Sequence, residues 1–282
     1  MGTRLVGLLL AQRDQARVLT RDPRRAGHLP GEVETITGDV RDPASLAAAV
    51  HGCKAVVSAV HGFAGPDSAS PEAIDRAGNR ALIHAATDAG VKHFVLLSVH
   101  GAAADHPISL HRAKYTAEQE LRRSNLEFTI IRPTAFLETW LKIIGGTLTT
   151  KGYALVFGPG RNPINFVSVR DVAALVALAV GDKALNGETV EIGGPQNLGF
   201  ATLAERLVES SGTPGRIKHI PLPMLRAMSV LARPFAPMFA RHAKAAVVMN
   251  TTDMTFDTSV RARFPVLPRT TLEDLFNLSL RA

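Results

Sequence analysis

Three short runs constrain this chain more than anything else in it: "AVVSAV" at 55–60, "FVLLSV" at 94–99 and "FTIIRP" at 128–133. Each is rich in β-branched residues and almost continuously apolar, the composition of a strand buried on both faces. Strands of that kind need cover above and below, and the intervening stretches supply it. "IDRAGNRALIHAATDAG" sets Ile74, Ala77, Ala81, Ala85 and Ala89 along one helical face, and Gly90 then ends the helix. "LHRAKYTAEQELRRSN" is helical too, with Lys114 and Glu118 one turn apart as a side-chain pair. Strand, helix and strand in repetition predict an α/β chain with a doubly wound parallel sheet.

Upstream, "ARVLT" at 16–20 and "VETITGD" at 33–39 read as two further strands, and an apolar helix opens near Thr3. "DPASLAAAVHG" reads as a helix with Asp42 as its N-cap and Gly52 as its stop. In the strand order 3-2-1-4-5-6 of such sheets, the one member without a counterpart is the first, central strand. After Pro133 the rhythm changes. A Gly/Pro turn leads to a strand and to a helix opening near Asp171, whose carboxylate meets the helix dipole. "GETVEIGG" and "TLAERLVESSG" follow as strand and helix, and proline-broken helical turns come after them. The division expected is a Rossmann-like region over 1–135 and a smaller substrate-side region over 136–282, partly returning to the main sheet.

Composition excludes several classes. With 46% hydrophobic and 20% charged residues the chain is of globular type. Its longest apolar runs, 5–11 and 173–180, fall short of the ~20 residues that a membrane span needs. A single cysteine, Cys53, excludes an intrachain disulfide and argues against a cysteine-rich metal site, so no metal is expected and the compartment expected is cytoplasmic. The net charge of +7 is uneven: residues 213–282 hold ten Lys/Arg against four Asp/Glu. A solvated basic surface is the reading preferred over anion attraction, and no zinc-finger spacing or aromatic–basic interleaving points to nucleic acid.

The start of the chain carries the binding chemistry. A dinucleotide pyrophosphate sits where a helix N-terminus offers unpaired N–H groups and partial positive charge. Gly2 stands where the last glycine of such a turn belongs, and Arg21 follows 19 residues later at the end of the second strand. That is close to the ~20-residue offset at which an acidic residue reads the ribose of NAD or an arginine the 2′-phosphate of NADP. "LTRDPRR" puts arginine there, with Arg24 or Arg25 beside it, so NADP is favoured over NAD.

Several stretches resemble the NmrA-like branch of the atypical short-chain dehydrogenase/reductases: "LTRDP", "GDVRDPASLAAAV", "HFVLLSVHGA", "HRAKYTAEQELRRSNLEFTIIRPTAF", "INFVSVRDVAALVALAV" and the tail "RFPVLPRTTLEDLF". The resemblance implies a Rossmann-fold, NAD(P)-binding protein, a reductase or a redox-sensing regulator. By that resemblance Gly2 is the third glycine of the phosphate turn, and Thr20 and Arg21 receive the 2′-phosphate. Asp39 and Val40 bracket adenine, while Ala59, Val60 and His61 border the adenosine ribose and pyrophosphate. Ser98 faces the nicotinamide. Lys114 holds the nicotinamide ribose or moves a proton, and Pro133, Thr134 and Phe136 line the carboxamide.

Two departures stand out. Carbonyl-reducing members place Tyr four residues before the lysine, where this chain has Leu110, and Tyr115 lies on another helix face. His111, one turn from Lys114, is the substitute proton donor, weighed against a histidine with no catalytic role. The second departure is the absent first strand. It would leave several backbone groups unpaired at ~1–3 kcal/mol each, against a stability of roughly 5–15 kcal/mol. The expectation is a natural chain that starts upstream of Met1; the rival is a short chain with poor dinucleotide affinity.

The function expected is hydride transfer from NADPH to a small apolar acceptor such as a quinone or enone, with Lys114, Ser98 and His111 as candidate catalytic residues. The alternative is a non-catalytic NADP(H)-sensing or accessory protein. Loop residues His100 and His106 are candidates to line the site. Met224, Met228, Phe235, Met238 and Phe239, among Arg226, Arg233 and Arg241, read first as core packing, then as pocket wall, and last as a membrane surface. Oligomeric state is left open.

Overall fold

A computed structural model describes residues 1–212, 215–257 and 262–279, apart from the side chains of Arg25, Leu278 and Ser279. Helix α1 (Gly2–Ala11) leads to strands β1 (Arg17–Thr20) and β2 (Glu34–Thr37), then α2 (Pro43–Val50) and β3 (Ala55–Ser58). Helix α3 (Asn79–Asp88), β4 (His93–Leu97), α4 (Ser109–Arg123) and β5 (Glu127–Pro133) follow. The alternation expected from the apolar runs is present, and the sheet is parallel wherever these strands pair. Asp42 caps α2 by accepting from the N–H groups of Ala44 and Ser45. Gly90, at φ +69°, turns the chain out of α3 into β4 in a left-handed conformation that an L side chain resists.

The chain forms two compact units, 1–132 with 172–190, and 133–171 with 191–282. In the first, β1 pairs with β2, and β3, β4 and β5 continue to β9 (Thr189–Ile192), so that hydrogen bonding divides the strands into a pair and a four-stranded sheet. The division falls between the pair β1–β2 and the strands β3, β4, β5 and β9. All five residues of β4 are buried, whereas β1 is half-buried throughout. The core of this unit joins Leu46 and Val50 of α2, Leu82, Ile83 and Ala86 of α3, Phe94 and Leu96 of β4, Ala117 and Leu121 of α4, and Ile130 of β5.

One helical face differs from expectation. Ala77 and Ala89 are exposed, and the buried positions are Ile74, Asp75, Gly78, Asn79, Leu82, Ile83 and Ala86. The segment Glu72–Gly78 winds as a π-helix before α3, which rotates Asp75 and Asn79 inward. Both polar groups have internal partners. Asn79 accepts from Ser58 Oγ at 2.5 Å and donates to the Asp75 carbonyl at 2.7 Å.

The second unit contains β6 (Ala135–Phe136), α5 (Leu137–Gly145), α6 (Leu148–Lys151), β7 (Tyr153–Phe157) and β8 (Ile164–Val167). Helix α7 (Val169–Gly181) begins in this unit and ends in the other. Next come β10 (Asn197–Leu198), α8 (Phe200–Ser210), β11 (Arg216–Ile220), α9 (Leu222–Leu231), α10 (Pro237–Thr251) and α11 (Leu272–Ser279). β8 lies between β6 and β10, and β7 pairs with β11. Trp140, Phe166, Phe200, Leu203, Met249 and Leu272 anchor its core. Asp171 lies in the first turn of α7 as expected, and its buried carboxylate also accepts from the N–H and hydroxyl of Thr270, tying the tail to this unit.

Core packing, the first reading for the Met/Phe-rich stretch, holds only for Met228, which packs against Leu225, Ala243 and Ala246. Met224, Phe235, Met238 and Phe239 are exposed. A helix pair has a limited inner face, and Leu225 with the alanines of α10 fills it. Among the described residues no helix is long and apolar enough to cross a membrane.

Candidate functional site

Helix α4 organises the carboxyl ends of three strands in the first unit. Lys114 and Glu118 are four residues apart and therefore share a face. That face turns inward, leaving Lys114 4% and Glu118 0% exposed. The surface-type pair expected between them does not form, because each has a better partner across the fold. Lys114 Nζ donates to the carbonyl of Val60, just past β3, at 2.8 Å and stands 3.0 Å from Asp75 Oδ1. Glu118 accepts from Ser98 Oγ, just past β4, at 2.5 Å and takes both arms of Arg132, near the end of β5, at 2.9 and 2.6 Å.

The Lys114–Asp75 pair is the electrostatic centre of this arrangement. Asp75 is fully buried, and its other oxygen accepts from the Gly62 N–H at 2.7 Å. A Cβ at position 62 would run into the carbonyls of Ala69 and Ser70, so this loop closes on the carboxylate only with glycine there. Buried ions persist when paired and hydrogen-bonded, and both conditions are met. An ammonium has three N–H groups; one is given to Val60, and Asp75 Oδ1 stands beside it as the counter-ion without accepting a hydrogen bond. Asp75, Asn79 and Arg132 escaped the reading from sequence, which took Glu118 only as a helix partner of Lys114. The one local signal was a pair of polar residues, Asp75 and Asn79, spaced i, i+4 beside apolar positions.

The other expected residues gather in part. Gly2 is the first residue of α1, whose first turn carries no acidic side chain and no side-chain cap, which suits an anion. Thr20 closes β1, with its hydroxyl bonded to the backbone of Asp22 at 3.1 and 3.3 Å. Arg21 is exposed and near enough to Asp39 to help lower its pKa. Asp39, after β2, is held down to about 2 chiefly by its hydrogen bonds to Arg41. Val40 packs on the helix below, where Gly78 leaves room for it. Arg24 is bonded to Asp22 at 2.9 and 3.0 Å, and the Arg25 side chain lies outside the described residues. Ala59, Val60 and His61 follow β3, and desolvation holds His61 below its usual pKa, opposed by Asp75 and reinforced by Lys114. Pro133 ends β5 and, with Thr134 and Phe136, belongs to the second unit, where Thr134 Oγ1 donates to Asn165 at 2.9 Å.

His111 differs from a surface helix histidine. Its ring stacks on His106 with centroids 3.8 Å apart and planes 10° from parallel. Desolvation, with His106 and His100 adding, pushes its pKa down to about 3, so the imidazole is neutral near pH 7. An imidazolium proton donor is therefore not available at that position under ordinary conditions.

A helix N-terminus at Gly2, a guanidinium and a carboxylate at the ends of β1 and β2, and a buried ammonium beyond β3 and β4 are the polar and charged groups that this unit places at the ends of its strands. Fold and site define a Rossmann-type protein of the atypical short-chain dehydrogenase/reductase class. The chain belongs to the NAD(P)H-binding family, whose profile matches residues 1–183. It is 29% identical over 236 residues to an NAD(P)H azoreductase of Xenophilus azovorans, covering 83% of this chain and 79% of that protein. It is 28% identical over 238 residues to the photosystem II assembly factor Ycf39 of a Synechocystis strain, with 83% and 72% covered. The NADPH-dependent quinone oxidoreductase QOR2 of Escherichia coli, solved with NADPH, has the same fold, with a TM-score of 0.77 at 20% identity over 99% of this chain and 96% of that one.

Proposed function

We propose that this protein is an NADPH-dependent reductase of a small apolar acceptor such as a quinone, an enone or an azo compound. The observation that carries the reading is the buried Lys114, which donates to the Val60 carbonyl and is ion-paired with Asp75. A fixed ammonium with a spare donor can bind a ribose hydroxyl or orient an acceptor oxygen. Hydride donation is the chemistry that a bound nicotinamide supplies. Ser98, its hydroxyl proton given to Glu118, keeps lone pairs to accept a hydrogen bond from carboxamide or substrate. Arg21, exposed beyond β1, receives the 2′-phosphate, with Thr20 and Arg25 next to it, and Gly2 lies by the pyrophosphate. Protonation of product comes from Lys114 or water, since neutral His111 is a poor acid. The likeness to an NAD(P)H azoreductase supports the acceptor class.

A second reading, a cofactor-sensing or accessory protein without turnover, is favoured by Leu110 at the position of the usual tyrosine acid. NADPH oxidation over a panel of quinones, enones and azo dyes separates the two. Turnover with any acceptor supports the reductase, and saturable NADPH binding with no turnover supports the sensor. Arg21→Glu should weaken NADPH binding at least tenfold, as loss of a charge-assisted contact of about 1.5–3 kcal/mol requires, while leaving NADH binding nearly unchanged. Equal losses for both coenzymes would show that Arg21 does not read the extra phosphate.

A further inference from the structure

Among the described residues, eight large apolar side chains remain exposed, and six of them fall in one helical hairpin: Met224, Val230, Leu231, Phe235, Met238 and Phe239. They are not scattered. Val230 and Leu231 end α9, Met238 and Phe239 begin α10, and Phe235 stands in the short connection between them. The inner face of the pair is already satisfied by Leu225, Ala243 and Ala246, so these six are surplus to its packing. Phe235 is 89% exposed, Leu231 72% and Val230 69%, and contiguous exposed apolar side chains of this kind mark interaction surfaces. Pro234 and Pro237 flank the bend and restrict its backbone, which presents Phe235 on a stiff loop.

The charge around this tip is of one sign. Residues 210–252 contain six Lys/Arg, at positions 216, 218, 226, 233, 241 and 244, and no Asp or Glu. Arg226 and Arg233 are exposed beside the apolar side chains. A second copy of the same surface would bring cations against cations, so charge opposes self-pairing. A surface of acidic headgroups over acyl chains matches both halves of the pattern, with aromatic and aliphatic tips below and guanidinium groups at headgroup level. Packing and pocket wall ranked ahead of a membrane when only the sequence was read; the exposures reverse that order.

We propose that the hairpin of α9 and α10 docks peripherally on an anionic lipid bilayer, inserting Phe235 and Leu231 and setting Arg226 and Arg233 among the headgroups. The proposal stands independently of the reductase reading. The test is co-sedimentation of the full chain with vesicles of mixed phosphatidylglycerol and phosphatidylcholine, against pure phosphatidylcholine, at low and high salt. Binding to the anionic vesicles should weaken as salt rises. It should also fall tenfold or more in Leu231→Ser/Phe235→Ser and, separately, in Arg226→Glu/Arg233→Glu. These positions are exposed, so the melting temperature should hold and a lost signal would not report unfolding. In Phe235→Trp the emission should move to the blue on anionic vesicles, over the constant background of buried Trp140. Absence of wild-type binding at low salt would overturn the proposal. So would binding indifferent to Leu231→Ser/Phe235→Ser, or a concentration-dependent dimer that those changes dissociate, which would make the tip a subunit contact.

Discussion

The site behind β3 and β4 and the hairpin of α9 and α10 invert the ordinary distribution of side chains in opposite ways. In the first, an ammonium and two carboxylates lie inside the protein, each with an internal partner. In the second, aromatic and aliphatic side chains lie exposed, Phe235, Leu231 and Val230 most of all. Both arrangements forgo stability that an apolar core and a polar surface would provide. The difference is in what each depends on. Buried charges depend on one another, so removing one partner is costly. Exposed apolar groups depend on nothing in the fold, and their removal is cheap.

Unfolding measurements give the most direct way to break that comparison. Lys114→Met leaves Asp75 buried without its cation and should cost about 3–5 kcal/mol in denaturant unfolding. Adding Asp75→Leu should recover much of the loss, because an uncompensated charge is then no longer buried. Recovery of nothing would mean that the pair is not the centre of this region.

Glu118→Gln comes next. It keeps the shape but weakens the acceptor shared by Ser98 and Arg132, for an expected loss of about 1.5–3 kcal/mol. Loss confined to catalysis, with stability unchanged, would show instead that Glu118 positions Ser98 without supporting the strand ends.

At neutral pH His111 contributes no loss, and its effect appears only as pH falls. Its folded-state pKa of about 3 lies below the value of 6.5 expected for the open chain. Between those values the unfolded chain binds a proton that the folded protein refuses, so stability is full above about pH 6.5 and falls as pH drops towards 3. His111→Asn should flatten that part of the curve of melting temperature against pH. Asp39, at about 2, acts in the same direction at lower pH, its contribution present above about 3.8 and lost below.

The smallest effect sharpens the contrast. Phe235→Ser should leave stability within about 0.5 kcal/mol of the parent, as surface changes do. A large destabilisation would place that ring in an intramolecular contact and remove the distinction between the two regions.

The strands and helices were legible because their signals are local. The runs at 55–60, 94–99 and 128–133 became β3, β4 and β5 within one to three residues, and Asp42 and Gly90 bounded helices where their chemistry required. The strands themselves were readable; their division by hydrogen bonding into β1 with β2 and β3 with β4, β5 and β9 came from the structure. The partners of Lys114 and Glu118 were not readable. An i, i+4 spacing states that two side chains share a face, and it is silent on whether that face meets solvent. The inward turn of Asp75 likewise depends on a π-helical segment that the alanine periodicity around it concealed.

Periodicity, capping residues and the offset from Gly2 to Arg21 follow from covalent order, so composition along the chain was enough to determine a parallel dinucleotide-binding architecture. Which ions are buried together, which histidine is kept neutral and which apolar side chains are left outside depend on contacts between residues far apart in sequence. Desolvation is a property of that assembled surrounding. Only the tertiary structure could decide it, and the same physics separates Lys114, at home inside, from Phe235, left on the surface.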